Sequence, residues 1–133
     1  MPKVIEAARR VGLPYPMEAR PGPQLILPAI ELTSDDEPRV RQAALSVLCA
    51  CRVRSDDERI WDRVFALASD PDPRVRQQVL HTLTDGSPRR LTDRAASCIA
   101  RLSRDPAPKV RKQARAALAR YERTGRINTP DAH

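Results

Sequence analysis

Apolar residues recur along this chain at intervals of three and four positions, which is the spacing of one face of an α-helix. Between residues 24 and 123 this spacing appears in six segments, and short polar runs rich in Asp, Pro and Ser separate them. Each segment carries a single apolar stripe, so we expect the predicted helices to bury their stripes against one another. The stripes are Leu25/Ala29/Leu32, Val40/Ala44/Val47, Ile60/Val64/Leu67, Val75/Val79/Leu83, Ala95/Ile99/Leu102 and Val110/Ala114/Ala117.

One seven-residue sequence occurs three times between these segments. It reads DDEPRVR at 35–41, DPDPRVR at 70–76 and DPAPKVR at 105–111, and its prolines are 35 residues apart in both intervals. Proline at the first helical position and acidic residues just before it are signals of a helix N-terminus. A match at a fixed interval, with helical sequence on both sides, is the signature of a stacked repeat.

The repeated sequence resembles the HEAT repeat, in which a short Asp-containing turn joins two antiparallel helices and Val-Arg begins the second. The resemblance covers residues 24–123 and, more weakly, 2–13. It implies an all-α solenoid of stacked antiparallel helix pairs, with hydrogen bonds between neighbouring repeats that form a ladder. The ladder residues would be Asp35, Asp70 and Asp105 with Arg41, Arg76 and Arg111. Their regular recurrence favours a structural role over ligand binding.

We predict one domain over residues 1–123, built from about seven helices: one half repeat and three full repeats. The Pro-rich stretch after the half repeat cannot continue a helix and is expected to be a linker. The last ten residues lack helical periodicity and are expected to form a flexible tail. The predicted boundaries are 2–13 for the half repeat, 14–23 for the linker, 24–54, 55–86 and 87–123 for the repeats, and 124–133 for the tail.

Both ends of the stack show a change in the repeat pattern. Residues 2–13 align with the sequence from Pro38, with Ile5 in the place of a ladder arginine. We interpret them as the second helix of a half repeat; a plain amphipathic capping helix is the alternative. In the last repeat, Arg115 occupies a position that is leucine in the two repeats before it. That position needs to be apolar only where another repeat follows.

Composition narrows the class of protein. Only 3% of the 133 residues are aromatic, so the core must come from Leu, Val, Ile and Ala, which suits packed helices. No run of 18 apolar residues is present, and the N-terminus has no signal-peptide core, so we expect neither membrane insertion nor secretion. The three cysteines, at 49, 51 and 98, form an irregular set typical of a reduced, cytoplasmic protein. We interpret them as small apolar residues.

The net charge of +7 favours anionic partners. Arginine outnumbers lysine 21 to 3, a bias that genomic base composition can also produce. The resemblance places the second helices on the concave side of the stack. The basic residue after the first proline of each second helix lies at the helix N-terminus, where backbone N–H groups favour anions. The alternative is a solvated charged face that keeps the protein soluble. The predicted binding face comprises Lys3, Arg39, Arg74, Gln77, His81, Lys109, Lys112 and Arg120.

Catalytic chemistry is not visible in the sequence. It contains no Gly-rich phosphate loop, no nucleophile elbow and no zinc-type spacing of Cys and His. His81 and His133 are scattered among poor partners, so we predict no metal site, no cofactor and no enzyme activity. Trp61 is either an exposed anchor for a partner or a packing residue.

Two functions therefore follow from the sequence. The first is a non-enzymatic binding scaffold whose basic concave groove engages an acidic protein or peptide. The second is nucleic-acid binding through phosphate contacts on the same basic face. A third possibility is an enzyme-associated role, as in the HEAT-like lyases that attach bilin pigments, but no residues in the sequence mark a pigment site.

Overall fold

A computed structural model describes residues 2–13, 23–49 and 56–128. Within these residues the chain forms seven α-helices and short 3-10 turns, and no strand. The predicted linker, apart from Pro23, and Cys51 lie outside the described residues, as do residues 129–133 of the predicted tail. The helices are α1 (Pro2–Arg10), α2 (Ile26–Leu32), α3 (Pro38–Leu48), α4 (Glu58–Ala66), α5 (Pro73–Gly86), α6 (Thr92–Leu102) and α7 (Pro108–Thr124).

The helices pack as an α-solenoid, which confirms the predicted fold class. Helix α2 packs against α3, α4 against α5 and α6 against α7. The second helices of the pairs form a continuous row, because α3 packs against α5 and α5 against α7. Helix α1 extends this row by packing against α3. None of the described helices combines the length and the apolar character needed to cross a bilayer.

Proline sets the first residue of each second helix. Pro38, Pro73 and Pro108 begin α3, α5 and α7, and the residue before each of them is extended. Proline imposes this on its predecessor by steric clash, and it loses nothing at a position whose N–H has no partner inside the helix. The sequence thus determines where these three helices start.

Within the described residues the core is aliphatic apart from two buried aromatic side chains, Trp61 and Phe65. Val40, Val75 and Val110, equivalent in the three repeats, are at most 1% exposed. Trp61 is also 1% exposed and lies within the same cluster of apolar side chains. The interpretation of Trp61 as a packing residue is therefore confirmed, and its interpretation as an exposed anchor is wrong.

The repeated arginines link one repeat to the next. Arg41 donates from Nε and Nη2 to the two carboxylate oxygens of Asp70, at 2.7 and 3.0 Å, and from Nη1 to the carbonyl oxygen of Asp35 at 2.9 Å. Arg76 repeats the arrangement with the carboxylate of Asp105, at 2.7 and 3.0 Å, and the carbonyl of Asp70, at 2.7 Å. Each arginine thus joins the backbone of its own turn to the side chain of the next turn. Two-pronged, charge-assisted bonds of this kind are among the strongest that proteins make.

The ladder changes at both of its ends. Asp35 has no preceding ladder arginine, and Arg10 of α1 donates to its carboxylate instead, at 2.8 Å. At the other end, Arg111 donates to the carbonyl oxygens of Asp105 and Pro106, at 3.0 and 3.3 Å. The Arg10 side chain is 62% exposed, whereas those of Arg41 and Arg76 are 12% exposed. The two inner links are therefore the better shielded from water.

The aspartates of the ladder also hold their own turns. The carboxylates of Asp35, Asp70 and Asp105 each accept the backbone N–H two residues further on, at 2.9 to 3.0 Å. Burial alone would raise the pKa of Asp105, but the hydrogen bonds from Arg76 and from the N–H of Ala107 hold that pKa below its ordinary value. The folded turn therefore favours the ionised carboxylate.

The C-terminal segment is ordered further than the sequence predicted. Helix α7 ends where Gly125 adopts a left-handed conformation, with φ of 71°, and its N–H bonds to the carbonyl of Tyr121. The chain then turns back, so that Ile127 is 4% exposed and Asn128 accepts the N–H of Ser87 at 3.0 Å. Residues 127 and 128 of the expected tail therefore contact the rest of the stack. Apolar burial of Ile127 and an amide contact outside any helical pattern fix this segment.

We expect Arg76→Ala to lower the free energy of unfolding by about 1.5–3 kcal/mol, because it removes charge-assisted hydrogen bonds and leaves Asp105 buried without its cation. Arg74→Ala is the matched control, since Arg74 is two residues away and its side chain is 46% exposed. Its stability should stay close to that of the wild type. Urea denaturation followed by circular dichroism measures both, and greater destabilisation by Arg74→Ala would contradict the ladder.

Acid should weaken the same link. Because the pKa of folded Asp105 lies below the ordinary value of 3.8, its contribution to stability is complete above that value and is lost as the pH falls through the folded pKa. Melting temperatures of Asp105→Asn should therefore fall less steeply below about pH 4 than those of the wild type. Asp36→Asn, at an exposed carboxylate, should follow the wild type; equal slopes for all three proteins would refute the assignment.

Candidate binding groove

A groove of about 490 Å³ crosses the row of second helices. Every residue that lines it belongs to α3, α5 or α7, so it runs across all three full repeats. The stacking places equivalent helix faces side by side, and the groove is the channel between their side chains. Its lining residues are Gln42, Gln77, Gln78, Leu80, His81, Thr84, Gln113, Ala116, Ala117 and Arg120.

The groove has an apolar floor and polar walls. Leu80 and Ala117 are 3% and 4% exposed and form part of the core, whereas His81 and Gln113 are exposed. Four of the lining side chains are glutamines, and each glutamine amide offers both hydrogen-bond donors and an acceptor. Arg120 supplies the positive charge, and no carboxylate is among the lining residues. Such a surface can bond to peptide groups and tolerates negative charge.

The structure separates the predicted binding residues into two groups. Gln77, His81 and Arg120 line the groove. The remaining residues lie in or near the first turns of their helices and do not line it; they are Lys3, Arg39, Arg74, Lys109 and Lys112. The groove begins in the second turn of each second helix. The basic residues that follow the first proline of α1, α3, α5 and α7 therefore border one end of it, and we call them the basic column (Lys3, Arg39, Arg74 and Lys109).

Acidic neighbours neutralise part of this basic column. Lys3 Nζ lies 3.2 Å from a carboxylate oxygen of Glu37, and the hydrogen bond from Lys3 lowers the pKa of Glu37. Arg74 donates to both carboxylate oxygens of Asp72, at 3.1 and 2.9 Å, and lowers the pKa of Asp72. The sequence leaves open whether this column binds anions or is only a solvated charged face. In the structure, Glu37 and Asp72, the acidic residues directly before two of the prolines, already pair with two of its cations.

The last repeat lacks this neutralisation. The residue before its proline is Ala107 where the two earlier repeats have Glu37 and Asp72, so Lys109 has no acidic cap beside it. Lys109 and Lys112 are exposed and donate to no side chain within the described residues. Positive charge that no carboxylate offsets is therefore greatest at the α7 end of the groove.

The distribution of charge over the helices agrees with this polarity. Helix α7 carries six basic side chains and one acidic, α3 two and none, and α5 two and one. On the other side of the stack, α4 carries two of each and α6 two basic and one acidic. The net charge of the second helices is thus +2 for α3, +1 for α5 and +5 for α7, so the largest excess of basic side chains lies on α7.

The sequence analysis missed one group of side chains beside the groove. Cys49 follows the last residue of α3, and His81 and Asp85 lie one turn apart on α5; their sulfur, nitrogen and oxygen atoms are all within 4.8 Å of one another. Cys49 Sγ donates to a carboxylate oxygen of Asp85 at 3.2 Å. The four-residue spacing of His81 and Asp85 was visible in the sequence. The approach of Cys49, one repeat earlier, depends on how the repeats stack.

A smaller cavity of about 400 Å³ lies on the other side of the stack, between α4 and α6. The guanidinium of Arg94 lies over the ring of Phe65, with its carbon 4.2 Å from the ring centroid. Burial raises the pKa of the Cys98 thiol beside it. A thiol of raised pKa is a weak nucleophile at neutral pH, so this cavity offers no reactive cysteine.

Comparison with known proteins gives one match. A family model described as HEAT repeats matches residues 26–119, which span α2 to α7. No curated protein and no solved structure matches the chain.

Proposed function

The chain belongs to the HEAT repeat family, whose repeats generally act as scaffolds for protein–protein interaction, and from this premise we propose a specific ligand. The protein is a non-enzymatic scaffold that binds an acidic, extended peptide segment of a partner protein along the groove of α3, α5 and α7. The observation that carries the proposal is the composition of the groove: four glutamine amides, one arginine and no carboxylate.

The glutamines support recognition of a peptide backbone. Gln42, Gln77 and Gln113 come from three successive second helices, so their amides are spread along the groove. An extended peptide presents an N–H or a C=O at every residue, and a primary amide can pair with either. Packed helices lie roughly 8–10 Å apart and a strand rises about 3.3 Å per residue, so three helices match about five or six residues.

The charge distribution supports an acidic ligand and a direction of binding. Arg120 lines the groove at the α7 end. Lys109 and Lys112 lie on the same helix, whose proline is preceded by Ala107 and not by an acidic residue. Elsewhere in the row, Lys3 of α1 and Arg74 of α5 already pair with Glu37 and Asp72. The most acidic part of the peptide should therefore lie over α7.

Nucleic-acid binding is the second candidate, and the net charge of +7 with the basic side chains of α7 favours it. The groove itself favours the peptide. Proteins that hold single strands usually stack the bases on aromatic rings. No Phe, Tyr or Trp is among the residues that line this groove.

We expect a labelled Glu-rich decapeptide to bind, and Gln77→Ala with Gln113→Ala to weaken its binding roughly thirtyfold, since each lost hydrogen bond costs about 1 kcal/mol. Fluorescence anisotropy measures the affinity. Ser97→Ala with Thr92→Ala is the matched control, because both polar side chains lie on α6, away from the groove. Equal binding by the two double variants would move the peptide site elsewhere.

The charge component has its own test. Lys109→Glu with Lys112→Glu should weaken the same peptide at least about tenfold, because exposed ion pairs of up to about 1 kcal/mol each are replaced by repulsion. Arg89→Glu with Arg101→Glu makes the same change in net charge at exposed positions outside α7. If both reversals act equally, only net charge matters and the proposed polarity fails.

A labelled oligonucleotide separates the two candidate functions. Nucleic-acid binding through about six phosphates should lose near a thousandfold in affinity between roughly 50 and 200 mM salt. We expect the glutamine substitutions to weaken oligonucleotide binding much less than Lys109→Glu with Lys112→Glu does, because Lys and Arg supply most of the affinity for phosphates. Tight oligonucleotide binding together with no peptide binding would replace the scaffold proposal by the nucleic-acid one.

A further inference from the structure

We propose that Cys49, His81 and Asp85 form a binding site for a divalent cation of zinc type at the edge of the groove. The proposal does not depend on which partner the groove binds. It rests on the convergence of three different metal-binding groups from two neighbouring repeats, with all three donor atoms within 4.8 Å of one another.

The geometry is close to that of a bound ion. Zinc bonds of about 2.0–2.3 Å in a tetrahedral arrangement place ligand atoms roughly 3.3–3.8 Å apart. Cys49 Sγ and the Asp85 oxygen are already 3.2 Å apart. His81 is exposed, lies one helical turn before Asp85 and has a ring nitrogen within 4.8 Å of both other donor atoms, so a movement of about 1 Å would reach the ligand spacing.

The choice of donors selects the metal. Thiolate, imidazole and carboxylate together suit Zn²⁺, whereas Mg²⁺ and Ca²⁺ prefer oxygen alone. Three protein ligands leave a fourth tetrahedral position open, as in zinc sites that take water or an outside ligand. His81 also lines the groove, so a partner bound there would lie close to the ion and could supply the fourth donor.

Binding would cross-link two repeats. Cys49 lies at the end of α3 and the other two ligands lie on α5, so the ion joins successive second helices at the end opposite the arginine ladder. On binding, the S–H bond of Cys49 breaks, a sulfur–metal bond forms and the proton leaves to solvent. The carboxylate of Asp85, which now accepts the S–H, becomes a ligand of the ion.

Cobalt reports on this site directly. In a full-length variant with Cys51→Ala and Cys98→Ala, Cys49 is the remaining thiol. We expect Co²⁺ to bind one-to-one and to produce a thiolate-to-cobalt charge-transfer band, which Zn²⁺ then displaces. A Zn²⁺ concentration about 100 times its Kd should raise the melting temperature by roughly 10 °C, and a chelator should reverse the rise.

Substitution of each ligand tests the assignment. In the same background, His81→Gln and Asp85→Asn should each weaken Co²⁺ binding more than about 100-fold. Loss of a residue that only hydrogen-bonds to a metal ligand costs roughly 10–100-fold. Asp93→Asn, at an exposed carboxylate on α6, should leave the affinity unchanged. Far-ultraviolet circular dichroism checks that each variant keeps its helices, and these two ligand positions are suitable because neither side chain is fully buried.

Two results would overturn the proposal. One is the absence of a charge-transfer band at millimolar Co²⁺ in the folded single-thiol variant. The other is a band that His81→Gln and Asp85→Asn leave unchanged, which would show that cobalt binds the thiol without the proposed partners.

Discussion

The structure depends on the buried, two-pronged ion pair between an arginine of one repeat and an aspartate of the next. A helix pair with one apolar stripe on each helix has no intrinsic register against its neighbour, because apolar contacts are not directional. The Arg41–Asp70 and Arg76–Asp105 pairs supply that register, with both nitrogens and both oxygens engaged. Each arginine also holds the carbonyl of its own turn, so turn geometry and repeat spacing are fixed by the same side chain.

The groove is a consequence of this register. When α3, α5 and α7 lie in a row at a constant spacing, side chains at equivalent positions form continuous columns. Gln42 and Gln77 are one such pair and Gln78 and Gln113 are another, each 35 residues apart, and all four line the groove. The basic column at the helix starts borders it. Glu37 and Asp72, just before the prolines of the first two full repeats, pair with Lys3 and Arg74, whereas the third full repeat has Ala107 at the equivalent position. The groove therefore has a polarity that follows from one residue type at each helix N-terminus.

The functional conclusion combines family membership with this local chemistry. HEAT repeats generally serve as scaffolds, but the family does not determine what a given groove binds. The lining amides and the uncapped α7 end lead to an acidic peptide as the proposed ligand. The cluster of Cys49, His81 and Asp85 adds a group of metal-binding side chains at the edge of the groove. No motif along the chain indicates this cluster.

The sequence by itself determined the helices, their starts at the three prolines, the repeat of 35 residues and the family. These features depend on residues close together in the chain, whose spacing records turn and helix geometry directly. Tertiary structure decided which cations are neutralised, that Trp61 is buried, that Ile127 and Asn128 pack back on the stack, and that Cys49 meets two residues more than 30 positions away. Those contacts arise only when repeats stack, because stacking brings together side chains whose separation along the chain has no local signature.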